Sequence, residues 1–180
     1  LDLGLFMRKN TGLNYGARNT AVDAWSDVAG AGAMMDAVGV PMSDNKYYLM
    51  NPFTTTSLAS AQNGLNASDG LVRTAWEKAQ ISSNFGGMRA LTSNALSSYT
   101  SGSTTDRAGT LDGAPDATYV TAKDTMQQTL VIDALGTGTI VAGDQIQIAG
   151  VNRLNIATRQ VMLDAAGAAV PWTGTVLSTV

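Results

Sequence analysis

Cysteine and histidine are both missing from this 180-residue chain. Without cysteine there is no disulfide and no thiol nucleophile. Without histidine the common catalytic triads lack their base, and with neither residue the usual zinc sites lack their ligands. Charge is also scarce, at 14% of residues with a net charge of −3, and Glu77 is the only glutamate. Lysines and arginines are scattered, with Arg8-Lys9 the one adjacent pair. A domain that reads DNA sequence carries a basic patch, so sequence-specific nucleic-acid binding is not expected. No apolar run approaches the ~18 residues of a membrane span, and no signal-peptide pattern is visible.

What the chain does have is small residues and aspartate. Hydrophobic residues make up 44% of it. Low charge together with much Ala, Gly, Ser and Thr suits a protein whose surface is largely covered by neighbours, and it also suits β-rich secreted modules. Among the aspartates, Asp112, Asp116 and Asp124 lack the spacing of a calcium loop and read as solvated loop carboxylates. Leu135-Gly136-Thr137-Gly138-Thr139 has neither the glycine spacing nor the lysine of a phosphate-binding loop, and a hairpin turn accounts for its glycines. Asn66-Ala67-Ser68 fits a glycosylation sequon but reads as a loop before a helix cap. No catalytic, cofactor-binding or metal-ligating residue is expected, and the chain does not read as an enzyme.

The local pattern begins with Leu1–Met7, the last turns of a helix and the tail of a longer element, so the chain reads as a fragment. Asn10, Gly12, Asn14 and Gly16 mark a loop. A helix follows with Thr20 as its N-cap and Asp23, three residues on, in the acidic position of a capping box. Val22, Trp25, Val28 and Ala29 share one face, extended by Met35 and Val38. Gly30 and Gly32 invite close approach of another backbone, and Gly39 and Pro41 end the helix. Lys46–Met50 is a central strand that puts Tyr48 in the core, and Asn51-Pro52 closes it with a turn. A second helix runs from Ser68 or Asp69 to Ala79, its stripe formed by Leu71, Val72, Ala75, Trp76 and Ala79. Trp25 and Trp76 are expected to be core anchors, whereas Trp172 packs in the β-rich half or covers an interface. Phe85-Gly86-Gly87 is a turn leading to a strand at Met88–Leu91.

Composition changes at Ser97–Thr105, a Ser/Thr-rich linker or mobile loop. Beyond Ala117 the pattern is all β, with strands expected at Thr129–Leu135, Gln145–Ala149, Val161–Leu163 and Thr175–Leu177. Gly143-Asp144 reads as a turn, the glycine tolerating positive φ and the aspartate bonding local backbone. The expected division is 1–98, a linker at 99–117, and a β-rich domain at 118–180. Asp106 and Arg107, beside the linker, are candidate subunit-interface residues, since rim charges steer contacts.

Three blocks, Asn19–Trp25 with Val28-Ala29, Tyr47–Pro52, and Gly143–Val151 preceded by Thr129–Ile132, occur in an order and spacing that resemble tailed-phage major capsid proteins. The resemblance is to the coat proteins of the lederbergviruses (the P-22 type), with Gly86-Gly87-Met88 and Ser93–Leu96 in between. It implies an α+β fold of the HK-97 type, part of the peripheral and axial domains, interrupted by an inserted antiparallel β-barrel that this chain holds incompletely. Leu1–Met7 would be the end of the long spine helix, and Tyr99–Ala117 has no counterpart. The implied function is structural: self-association into an icosahedral shell around double-stranded DNA in the virion, assembled in the bacterial host cytoplasm. The implied partners are other copies of the chain, a scaffolding protein and a portal, with no cofactor and no membrane. The competing reading is a β-rich binding module of a bacterial surface or secreted protein.

Overall fold

A computed structural model of the chain describes residues 3–17, 20–41, 46–63, 69–103, 108–113 and 129–178. The fold is α+β, with four helices and seven short strands among the described residues. The chain forms two compact units: Leu1–Tyr99 with Gln145–Thr175, and Thr100–Asp144 with Val176–Val180. The sequence pattern places one β-rich domain at 118–180, whereas in the structure Gln145–Thr175 groups with the helical half.

Helix α1 (Leu3–Asn10) opens the first unit, and its Arg8 guanidinium lies over the Tyr99 ring, 4.5 Å from the centroid. Helix α2 spans Trp25–Val38. Its start corrects the sequence reading: the N-cap is Ala24, not Thr20, and the acid that reaches back is Asp27, not Asp23. The Asp27 carboxylate accepts from the Ala24 N–H (3.1 Å) and the Asp23 N–H (3.2 Å). Alanine has no oxygen to return the bond, so the carboxylate supplies the cap by itself, aided by the positive end of the helix dipole. The helix ends at Gly39, whose φ of 105° is the left-handed geometry that favours glycine there.

Strand β1 (Tyr47–Met50) pairs in parallel with β3 (Met88–Thr92), and β3 pairs antiparallel with β2 (Asn84–Phe85), giving the order β1-β3-β2. A parallel pair needs a crossover, here made by α3 (Pro52–Asn63) and α4 (Asp69–Lys78) before β2. Helix α3 is a further departure, because Asn51-Pro52 starts a helix where a turn was expected. The Asn51 Oδ1 accepts from the Thr54 N–H at 2.7 Å, which makes Asn51 the cap and Pro52 the first helical residue.

The core is built by Val28 of α2, Met50 of β1, Leu58 of α3, Phe85 of β2 and Met88 of β3, with Ala31, Met35, Tyr48, Ile81 and Ala90 against it. The expected close approach on α2 occurs at Gly32, where an added Cβ would sit 3.3 Å from the Gly86 carbonyl oxygen. Gly86 returns the constraint, since a Cβ there would lie 2.9 Å from the Ala29 nitrogen. The helix backbone thus rests directly on the β2–β3 turn. A salt bridge between Lys46 and Asp36 ties the C-terminal half of α2 to the entry of β1.

A two-stranded antiparallel ribbon, β6 (Gln145–Asn152) and β7 (Pro171–Thr175), completes the first unit. Its strand β7 begins four residues before the strand expected at Thr175. Beyond the ribbon, isolated bridges join Leu154 to Val161 and Leu163 to Ala169. In the second unit β4 (Thr110–Leu111) and β5 (Ile132–Asp133) pair antiparallel. The three sheets are open, with no closed barrel among the described residues.

Candidate functional site: outward apolar faces

Strand β1 alternates in what it buries, and β3 does so from Met88 to Leu91. Tyr48, Met50, Met88 and Ala90 turn inward to the core. Tyr47, Leu49, Arg89 and Leu91 turn outward, and the parallel register places Tyr47 beside Arg89 and Leu49 beside Leu91. Tyr47 is 53% exposed, Leu49 48% and Leu91 42%. Parallel strands are ordinarily covered on both faces, so this open apolar face is a surface that expects a partner. Strand β1 is also the edge of its sheet, and such an edge presents unpaired backbone groups.

A second outward face lies on the arm beyond the ribbon. Met162 points inward and is buried, while Val161 and Leu163 on either side of it, with Leu154 across the bridge, point out. The arm is held firmly at its base. Asn155 Nδ2 donates to the Ala37 carbonyl at 2.7 Å, and the Ile156 N–H donates to the Val38 carbonyl at 2.9 Å. These bonds satisfy carbonyls that the end of α2 leaves open. Asn155 Oδ1 meanwhile accepts from the Ala157 and Thr158 N–H groups at 2.9 and 2.8 Å. On the ribbon, Arg153 donates to Thr173 Oγ1 (2.6 Å) and to the Gly12 carbonyl (2.9 Å), fastening the loop after α1. Burial lowers the Arg153 pKa from its ordinary value.

The residues singled out from sequence fare unevenly. Tyr48 is half-buried and packs against the core. Trp25 is not a core anchor: it is 53% exposed. The helix begins at Trp25 itself, so its ring precedes the stripe of Val28, Ala31 and Met35 and extends past the edge of the core. The Trp76 side chain and both Asp106 and Arg107 lie outside the described residues. Among the described residues no three acidic, histidine or cysteine side chains come together to hold a metal, and no helix is long and apolar enough to cross a membrane. An open groove beside α3 is lined by Asp23, Thr56, Ser57, Ser60 and Ala61, with no cationic side chain among them.

The missed surface had a signal in the sequence. Tyr47-Tyr48-Leu49-Met50 is apolar without alternation, the mark of a strand covered on both faces, and the first unit supplies cover for only one.

The model of a family described as P22 coat protein, gene protein 5, matches residues 2–178. The chain belongs to the P22 coat protein family. The match extends over nearly the whole sequence and agrees with the family indicated by Asn19–Trp25, Tyr47–Pro52 and Gly143–Val151. The chain is also 41% identical over 179 residues to a major capsid protein of Acyrthosiphon pisum secondary endosymbiont phage 1. That alignment takes in 98% of this chain and 42% of the relative, so the chain spans less than half of the relative's length.

Proposed function

We propose that this chain is part of a structural, non-enzymatic capsid subunit that self-associates into the shell of a tailed phage. The observation that carries the reading is the family match along residues 2–178, joined by the relative named a major capsid protein. The two outward apolar faces support it physically. Symmetry multiplies modest complementary contacts into a stable container, which asks for several sticky surfaces and no reactive site. The surface-module alternative is not favoured by the family.

The same reading extends to finer points. The fold is of the HK-97 type, interrupted by an inserted β-barrel domain. The shell encloses double-stranded DNA and is assembled in the bacterial host cytoplasm with a scaffolding protein and a portal. Asp106 and Arg107 touch a neighbouring subunit, and Trp25, Tyr47, Leu49 and Leu91 belong to contact surfaces with a second copy. Electron microscopy of the full-length protein expressed with its scaffold tests this reading. Closed particles are expected, with a closed strand ladder in the inserted domain at higher resolution. A protein that stays monomeric over a wide concentration range with scaffold present overturns the shell-building role.

A further inference from the structure

The second unit is reached and left by three crossings of the chain, after Tyr99, after Asp144 and after Thr175. Within that unit, residues next to all three crossings meet at the Val141–Asp144 turn. The Gly102 N–H donates to both oxygens of Asp144, at 3.1 Å to Oδ2 and 3.3 Å to Oδ1. The Val141 N–H donates to Oδ2 at 2.9 Å. The backbone of the same turn then binds the third segment: the Gly143 N–H donates to the Val176 carbonyl at 2.7 Å, and the Val176 N–H returns to the Asp144 carbonyl at 2.9 Å. The Asp144 N–H closes the turn on the Val141 carbonyl at 3.0 Å.

We infer that Asp144 is the clasp of the inserted unit, a positioning residue whose carboxylate binds the outgoing segment at Gly102 to the returning turn at Val141–Asp144, so that all three segments are held at one neck. Three observations carry this. The Gly102 bond spans 42 residues, which a turn needing only local capping would not require. Gly102 is buried, and an added Cβ there would collide with the Thr139 carbonyl oxygen and sit 2.9 Å from Asp144 Oδ2, so the approach depends on glycine. Gly143 takes a φ of 101°, the left-handed geometry that turns the Asp144 backbone towards Val176. A carboxylate suits the post because it only accepts, and charge-assisted bonds to backbone N–H groups are the stronger kind. The clasp does not depend on the shell-building role and stands or falls separately from it.

Hydrogen exchange of the full chain and of Asp144→Ala, Asp144→Asn and Gly102→Ala variants tests it. Asp144→Ala and Gly102→Ala should each lower protection of the Gly102, Val141 and Val176 amides by about tenfold or more through local opening. Protection at Arg89 and Ser93, bonded to the Lys46 and Met50 carbonyls of the first unit, should stay as in the parent chain. Asp144→Asn keeps one carbonyl acceptor and should fall between. Unchanged protection at Gly102 and Val141 in Asp144→Ala overturns the clasp. So does a uniform loss over both units in Asp144→Asn, since that would make Asp144 a global folding residue.

Discussion

Asn155 uses every polar atom of its side chain, as two N–H groups of its own loop bond Oδ1 and Nδ2 holds the end of α2 through Ala37. Asn155→Ala removes all three bonds at once, and because the freed groups are exposed and can take water, a loss of roughly 1–2 kcal/mol in a denaturant melt is expected. Trp25 gives the opposite case. Half in solvent and one turn before the core stripe, it should cost under about 1 kcal/mol on truncation to alanine, whereas Leu58→Ala, at a fully buried position, should cost roughly 2–5 kcal/mol. Equal effects for the two would put Trp25 back into the core. Tyr48 adds a pH dependence. Burial, and secondarily the charge of Asp27, raise its phenol pKa above the ordinary tyrosine value. The neutral phenol is therefore the form the fold favours. Its contribution is fully present below the unfolded value of about 10 and is lost as pH rises through the higher folded value. Tyr48→Phe should flatten the fall in stability above about pH 10, read from melts on either side of that value.

At the scale of elements, the helices and strands that the sequence revealed are those whose pattern and end signals agree. The start of α4 at Asp69, the Gly86-Gly87 turn with the strand after it, and the Gly39 stop of α2 were all legible. Helix α3 was not. Its run of Thr54, Thr55 and Thr56 has weak helix propensity, and Asn-Pro serves both turns and helix starts. Tertiary packing decides between them, since Leu58 and Ala59 are buried and Thr55 Oγ1 lies 3.0 Å from Thr92 Oγ1 at the end of β3. The start of α2 was misplaced by four residues for a related reason: two aspartates, Asp23 and Asp27, both stand near the start, and only the folded backbone shows which one reaches back. Since Asn51 is the cap of α3, Asn51→Ala should cost about 1 kcal/mol, and Thr20→Ala, at an exposed residue before α2, should cost much less. Thermal or urea melts of the two variants would separate the cap from the residue expected to be one.

At the scale of the molecule, the outward apolar faces are legible only once the strands are paired. The sequence showed an apolar run at Tyr47–Met50, but which side stays open depends on α2 and α3 covering Tyr48 and Met50 and leaving Tyr47 and Leu49 outside. Large exposed apolar patches are uncommon on free monomers and mark interaction surfaces. Leu49→Gln separates the two ways such a face can be used. If a second copy covers it, the unassembled full-length protein should keep its stability to within about 0.5 kcal/mol, as surface changes do, while the yield of shells falls. If the rest of its own polypeptide covers it, the same substitution should destabilise the unassembled subunit by roughly 2 kcal/mol or more, as polar replacements in a core do. Urea melts of the subunit and sedimentation of the assembled particles, run on the same preparation, read both quantities. The expected result is a stable subunit that assembles poorly. A destabilised subunit would move Tyr47, Leu49 and Leu91 from the contact surface to the interior of the complete protein.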